Sequence, residues 1–328
     1  MRVLVTGSSG HLGAALVRTL PGLGHDVVGL DVKASPSTDA VGSVADPAVV
    51  ADAVAGVDAV LHTATLHKPH VATHSRQDFV TTNVSGTLTV LEAAVATGVQ
   101  RFVFTSTTST FGRAMQPPLG APAVWVTEDL VPQPRNIYGV TKVAAEDVAE
   151  LVHRDTSLPI VVLRTSRFFP EEDDQPAARA AFADGNAKVN ELLNRRVDIE
   201  DVVSAHVAAL DAAPTIGFGR YIVSATTPLQ PDDVAELGTA AAAVVARRVP
   251  GAVDRYHELG WSLPATLDRV YDNTRARTDL GWRPRRDFAG AVERLATSDE
   301  HRSPLAIAIG SRGYHPESFA DGPYPVQP

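Results

Sequence analysis

The stretch NIYGVTK (136–142) places Tyr138 four residues ahead of Lys142, in a segment that continues with helical spacing. A tyrosine hydroxyl ionises near pH ~10 when unperturbed and is a poor base at neutral pH. A lysine one turn along shares its helix face, and the ammonium charge favours the phenolate. Such a pair can remove a proton from an alcohol while a hydride leaves the same carbon for an acceptor. The spacing alone also suits an ordinary surface helix, so its meaning depends on what precedes it. Upstream, FVFTSTTSTFG (102–112) is an apolar strand pattern that runs into hydroxyl side chains. Thr107, at that polar end, is placed to hydrogen-bond a substrate oxygen and share the proton with Tyr138.

A hydride acceptor is implied by the first residues of the chain. TGSSGHLG (6–13) follows a strand pattern and opens a helix pattern, with glycines at 7, 10 and 13. Glycines there allow a tight turn, close approach of backbone to a pyrophosphate, and close packing of helix on strand. The helix start adds free N–H groups and a positive dipole end. Asp31 ends the second strand pattern about 20 residues on, where a dinucleotide site needs a carboxylate for the adenosine ribose hydroxyls. A carboxylate there repels a 2′-phosphate, which favours NAD over NADP; nearby Lys33 leaves NADP open.

These residues need a scaffold. RVLVT (2–6), DVVGLD (26–31), DAVLHTA (58–64), RFVFTST (101–107) and PIVVLRTS (159–166) are mostly continuous aliphatic runs, as strands buried on both faces require. Helix patterns at 11–20, 47–55, 77–97 and 138–153 alternate with them. This predicts a doubly wound α/β fold with a parallel sheet. The expected division is a dinucleotide-binding unit over 1–166 and a mainly substrate-binding region over 167–328. Within the latter, about 201–230 returns to the first unit, and 303–328 forms a tail that is either an ordered arm or a mobile flap. Helices are expected at 201–213 and 231–248, and a strand at 219–225.

The chain has 328 residues, 44% of them hydrophobic, ample for a sizeable core. No cysteine is present, which excludes disulfides, thiolate catalysis and Cys-ligated zinc. The formal charge of −9 argues against a nucleic-acid partner. No apolar run reaches the ~18 residues of a membrane span, and the N-terminus lacks signal-peptide character, so a cytoplasmic protein without a membrane partner is expected. His62, His67, His70 and His74 cluster in HTATLHKPHVATH, but their spacing matches no compact two-ligand zinc motif and a proline interrupts it. No metal is expected; pocket lining or surface placement is.

Together the motifs resemble an extended short-chain dehydrogenase/reductase of the nucleotide-sugar epimerase/dehydratase type, similar to UDP-glucose 4-epimerase. The matching segments are Thr6-Gly7-x-x-Gly10-x-x-Gly13, Asp31, LHTA (61–64), Asn83 in NVSGTL, TSTTSTFG (105–112), YGVTK (138–142), RRVDIEDV (195–202) and DNTRARTDLGWRP (272–284). The resemblance runs to about residue 295. It implies Tyr138 as acid/base, Lys142 on the nicotinamide ribose and Thr107 on the substrate hydroxyl. It implies NAD contacts from Gly7, Ser9, Gly10, His11, Leu12 and Gly13, from Asp31, and from Ser43 and Val44. His62, Thr63, Ala64, Asn83 and Thr105 complete that set. It implies substrate contacts from Thr107, Thr108, Arg167, Asn190 and Arg196.

The chain also departs from that family. Ser43 stands where relatives carry an adenine-contacting Asp, with Asp46 a helix-cap candidate. Thr108 and Ser109 replace the Asp-Glu pair of 4,6-dehydratases. Arg167, in RTSRFFP (164–170), replaces a substrate-contacting Asn and suits a phosphate or carboxylate. Glu171–Asp174 is an acidic run expected to be a solvated loop.

Three functions are therefore in play. The first is an NAD-dependent nucleotide-sugar epimerase of the 4-epimerase type, which takes and returns hydride. The second is a net NAD(P)-dependent dehydrogenase or ketoreductase of a sugar, sugar acid or secondary-metabolite alcohol. The third is a non-catalytic dinucleotide sensor, disfavoured by the presence of both Tyr138 and Lys142. A homodimer through the Tyr138 helix and the helix before it is implied; the apolar positions Val140, Val143, Ala144 and Val148 fit such a packed face and fit a buried intramolecular face equally well.

Overall fold

The computed structural model describes residues 1–172, 176–298 and 300–313. Seven strands form one sheet in the order β3-β2-β1-β4-β5-β7-β8. They are β1 (Arg2–Thr6), β2 (Asp26–Asp31), β3 (Ala40–Val41), β4 (Ala59–His62), β5 (Arg101–Thr107), β7 (Ile160–Thr165) and β8 (Phe218–Val223). Every pairing is parallel. The short strands β6 (Val124–Val126) and β9 (Arg269–Tyr271) pair separately, also in parallel.

Alternation along each strand sends side chains to opposite faces. Val3 and Val5 join Leu61, Val103 and Leu163 beneath α1 (His11–Thr19) and α8 (Ile199–Ile216). Leu4 joins Val60, Phe104 and Val162 beneath α2 (Pro47–Val54), α4 (Gly86–Ala96) and α5 (Ile137–Thr156). Both faces are buried, which accounts for the unbroken aliphatic runs, and the doubly wound α/β fold follows from them.

The helix pattern at 77–97 is interrupted. It consists of α3 (Arg76–Phe79), a π-helical turn over Val80–Ser85, and α4. By length and composition alone Arg76–Ala96 could cross a membrane, although polar residues break its apolar run. Here it covers the sheet, with Phe79, Val90, Leu91 and Ala94 buried. The π turn carries the buried Asn83.

Beyond β7 come α6 (Pro176–Ala181) and α7 (Asp184–Glu191), and then α8 and β8 extend the main sheet. A second core gathers Val189, Leu193, Leu237, Val244, Tyr256 and Phe288. These lie on or beside α7, α9 (Val234–Arg248), α10 (Gly251–Glu258) and α12 (Phe288–Arg294). The helix α11 (Thr274–Asp279) packs on the β8 edge, and α13 (Pro304–Ile309) lies against α1 and α8. Asp173, Asp174 and the tail beyond 313 lie outside the described residues.

Candidate active site

The glycine turn is a cradle that side chains would fill. Gly7 has φ +69°, a left-handed conformation that favours glycine, and a Cβ there would meet the Ala64 backbone at 2.8 Å. A Cβ on Gly13 would come within 2.0 Å of the Gly7 carbonyl oxygen, so only glycine lets α1 start this close to β1. Gly10 caps α1 without a side-chain bond, leaving the N-terminal end of the helix to an anion. The Asp31 carboxylate accepts the Ser9 N–H at 3.0 Å and the Lys33 N–H at 2.9 Å, at the far rim of the turn. Thr63 and Ala64 are fastened to the end of β1: the Thr63 hydroxyl donates to the Thr6 carbonyl at 2.7 Å, and the Ala64 N–H to the Thr6 hydroxyl at 3.2 Å. A dinucleotide fits this donor set, with its pyrophosphate at Gly7–Gly13 and an adenosine ribose at Asp31.

The Tyr138–Lys142 pair sits at the carboxyl end of β5. Asn136 caps α5 by accepting the Gly139 N–H, and Tyr138, Lys142 and Glu146 then follow at one-turn intervals. Three consecutive residues of β5 receive them. The Lys142 ammonium donates to the Thr105 carbonyl at 2.7 Å and stands 4.0 Å above the Phe104 ring. The Ser106 hydroxyl donates to Glu146 at 2.5 Å. The Thr107 hydroxyl shares a hydrogen bond with the Tyr138 phenol. Glu146 is also gripped by Arg164 at 2.7 Å and Arg220 at 3.1 Å, so its burial is compensated.

Burial sets the proton balance. It pushes the Tyr138 phenol up to about 12 against the opposing pull of the Thr107 hydrogen bond. It brings Lys142 down to about 7, with Glu146 pulling the other way. Without cofactor the tyrosine is therefore a neutral phenol, and the lysine is poised near neutrality.

The other expected site residues divide by surroundings. Asn83 is buried and ties the loop after β4 to α5: its amide oxygen accepts the Leu66 N–H at 2.8 Å, and its NH₂ donates to Thr141 at 3.1 Å. The Thr105 hydroxyl pairs with His206 at 2.8 Å, leaving its carbonyl to Lys142. Ser43 closes its own turn through the Ala45 N–H, Val44 is buried against α4, and Asp46 caps α2. Thr108 is buried just past Thr107.

The ring of His62 does not reach the cradle. It is fully buried between Thr6 at 2.7 Å and Thr87 at 3.0 Å, and stacks on Phe104. Burial, assisted by the Lys142 charge, lowers it to about 3, so it is a neutral core histidine. The proposed substrate side differs from expectation as well. Arg167, Arg195 and Arg196 converge on the buried Glu191 carboxylate at 3.0, 2.9 and 2.7 Å. Burial would raise that carboxyl, but the three guanidinium groups outweigh it and hold it far below the usual range. Asn190 accepts from the Tyr256 hydroxyl at 2.9 Å and donates to the Ser262 carbonyl at 2.9 Å, facing the second core.

Two aromatic rings lie in a row beside Tyr138, one of them from the histidine cluster expected to line a pocket or the surface. The His67 ring centroid is 6.0 Å from that of Tyr138 and 6.0 Å from that of Phe169. Burial lowers His67 well below its ordinary range, with His70, Lys142 and His11 adding to the effect. Phe169 continues the row to His11, also at 6.0 Å. The histidine-rich segment and RTSRFFP held the signal, but only the fold brings them together.

Comparison with known proteins agrees with this geometry. The model of the NAD dependent epimerase/dehydratase family matches residues 3–222. The chain is similar to a 2-alkyl-3-oxoalkanoate reductase of Stenotrophomonas maltophilia, at 33% identity over 84% of this chain and 85% of the relative. It is similar to a UDP-glucose 4-epimerase of Lactobacillus helveticus, at 26% identity over 98% of this chain and the whole of the relative. The structure resembles an NAD-bound short-chain dehydrogenase/reductase superfamily protein of Agrobacterium tumefaciens, with TM-score 0.63 and 27% identity over 90% of this chain and 96% of that one. With a glycine cradle shaped for a dinucleotide and a Thr-Tyr-Lys set at the end of β5, the chain belongs to the NAD dependent epimerase/dehydratase family and is an NAD-dependent enzyme of the extended short-chain dehydrogenase/reductase type.

Proposed function

We propose that the enzyme interconverts a secondary alcohol and its ketone in net oxidation–reduction. The single observation that favours this over epimerisation of a nucleotide sugar is the pairing of Arg167, Arg195 and Arg196 with Glu191. Arg167 and Arg196, expected to contact substrate, each hold this inward carboxylate instead, and it balances one of the three positive charges. The wall next to Tyr138 is instead aromatic and neutral, made by Phe169 and His67. A substrate with an uncharged oxygen function and an apolar or planar body suits it.

In this reading Thr107 and Tyr138 hold the reacting oxygen. Tyr138 takes the hydroxyl proton as the alcohol carbon is oxidised, and returns it in reduction. Lys142 carries the charge that lowers the cost of the phenolate. NAD, when bound, supplies the hydride acceptor. Residues 1–166 with 201–230 hold the cofactor, and the remaining C-terminal residues shape the substrate side. Exposed Val80, Val140 and Leu151, on the π turn before α4 and on α5, are consistent with a homodimer across those helices.

Epimerisation at C4 of a nucleotide sugar is the second reading, supported by the end-to-end match to a UDP-glucose 4-epimerase. The test is to supply NAD with secondary alcohols, hydroxy acids and nucleotide sugars, follow NADH absorbance and resolve the products. NADH rising in step with a ketone is expected. A new sugar isomer without net NADH would establish the epimerase instead. Retention of activity by Tyr138→Phe would remove both.

A further inference from the structure

The cofactor turn is not left open on the side of the chain's C-terminal segment. Ser303 is buried and fixed at the start of α8: its N–H and hydroxyl donate to Asp198 at 3.0 and 2.6 Å. It also caps α13 by accepting the Ala306 N–H. Ile309, at the end of that helix, is buried in the core shared with Leu12 and Leu16 of α1. Gly310 then turns the chain with φ +60°. The two residues beyond it return to the glycine turn. The Arg312 N–H donates to His11 Nε2 at 2.9 Å, and the Ser311 hydroxyl donates to Glu171 Oε1 at 2.6 Å.

His11 and Glu171 are also a pair, 3.1 Å apart, with side chains 4% and 9% exposed. One imidazole nitrogen cannot serve both neighbours at once. Unprotonated, Nε2 accepts the Arg312 N–H; protonated, it donates to the carboxylate. The segment stays attached in either state, through Arg312 to the ring or through Ser311 to Glu171. The other carboxylate oxygen, Glu171 Oε2, is buried with no hydrogen-bond partner among the described residues. Beneath lies a cavity of about 50 Å³ bordered by His11, Phe169, Ile309 and Gly310, room for a few waters. The contact is therefore a fastening across a gap, and it can part without opening the core.

The geometry points to a clasp: Ser311 and Arg312 swing about Gly310, Glu171 is the positioning residue that holds them on His11, and their opening sets the rate at which the dinucleotide leaves. His11 begins the helix whose end takes the pyrophosphate, so a segment fastened to its ring borders the cofactor's phosphates.

The experiment is stopped-flow displacement of NADH from the full-length enzyme by excess NAD, read by NADH fluorescence. Ser311→Ala removes one of the two clasp bonds, the one to Glu171, and leaves every charge in place. Glu171→Gln removes the charge and keeps an acceptor for Ser311. Dissociation faster by about fivefold in Ser311→Ala, on the scale of one lost hydrogen bond, with an unchanged thermal midpoint, is the expected result. A Ser311→Ala rate within twofold of the parent overturns the clasp. An effect confined to Glu171→Gln also overturns it, because charge next to the phosphates would then suffice. Loop exposure by limited proteolysis gives an independent readout: bound NADH should protect the 310–313 segment in the parent and less in Ser311→Ala, and equal protection counts against the proposal.

Discussion

The Lys142 ammonium lies 2.7 Å from the carbonyl oxygen of Thr105. That contact, with Ser106 on Glu146 and Thr107 on Tyr138, registers α5 against the end of β5 at three successive strand residues. Successive strand side chains face opposite sides, so Ser106 meets α5 directly while Thr107 and Tyr138 meet at the sheet's upper edge. The lysine is thereby anchored to backbone before any cofactor arrives. The tyrosine is held by a hydroxyl that also touches the reacting oxygen in the proposed chemistry.

Tyr138→Phe should lower kcat/KM by about 1,000-fold, within the range expected for loss of an acid/base group. NADH affinity should stay within about twofold, since the glycine turn and Asp31 are untouched. Steady-state kinetics and NADH fluorescence titration check the two halves. A loss of cofactor affinity as large as the loss of rate would assign Tyr138 to binding instead.

Asp31 discriminates by charge. Asp31→Asn keeps an acceptor for the Ser9 N–H but no longer repels a 2′-phosphate, and Lys33 is close in sequence. The ratio of NADP to NAD in kcat/KM should rise about tenfold, a change of ~1.4 kcal/mol. Measuring both cofactors at several concentrations tests it; an unchanged ratio would move the ribose elsewhere.

His67 should act on the substrate rather than on the cofactor. His67→Phe keeps an aromatic body between Tyr138 and Phe169 and removes the ring nitrogens. KM should rise about tenfold, the scale of one buried hydrogen bond, with kcat falling less and NADH binding unchanged. Equal KM for parent and variant would make the residue a spacer.

Acid should unfold the enzyme through buried neutral histidines. Burial lowers His62 to about 3, with Lys142 adding to it, and lowers His206 to about 4 against the Val202 carbonyl. In the unfolded chain both titrate near ~6.5. Between those values the unfolded chain binds more protons, so stability is full above about pH 6.5 and is lost as pH falls toward 4 and then 3. Glu191, held low by its three arginines despite burial, adds to the loss below its unfolded range. Urea unfolding at pH 7 and pH 4.5 should differ by about 3 kcal/mol or more. Equal midpoints would mean that these groups are solvated in the fold.

The sheet, the glycine turn, Asp31 and the Tyr-Lys pair were legible because local spacing dictates each: strands by burial on both faces, the turn by glycine geometry, the pair by one helical turn. What stayed hidden depends on pairing across the fold. Nothing in the row of arginines at 167, 195 and 196 says that Glu191 will take all three. His62 ends a strand whose two faces are both interior, so its period cannot tell core from cradle. The π turn at Val80–Ser85 carries the periodicity of the helices it joins, and only the position of Asn83 against Thr141 reveals it. The aromatic row through His67 and Phe169 joins residues about a hundred positions apart.

The bond from Arg312 to His11 spans 301 positions of sequence. Synthesis makes the glycine turn well before the residues of the proposed clasp, so under that proposal holding a dinucleotide is a property of tertiary order far beyond the turn itself.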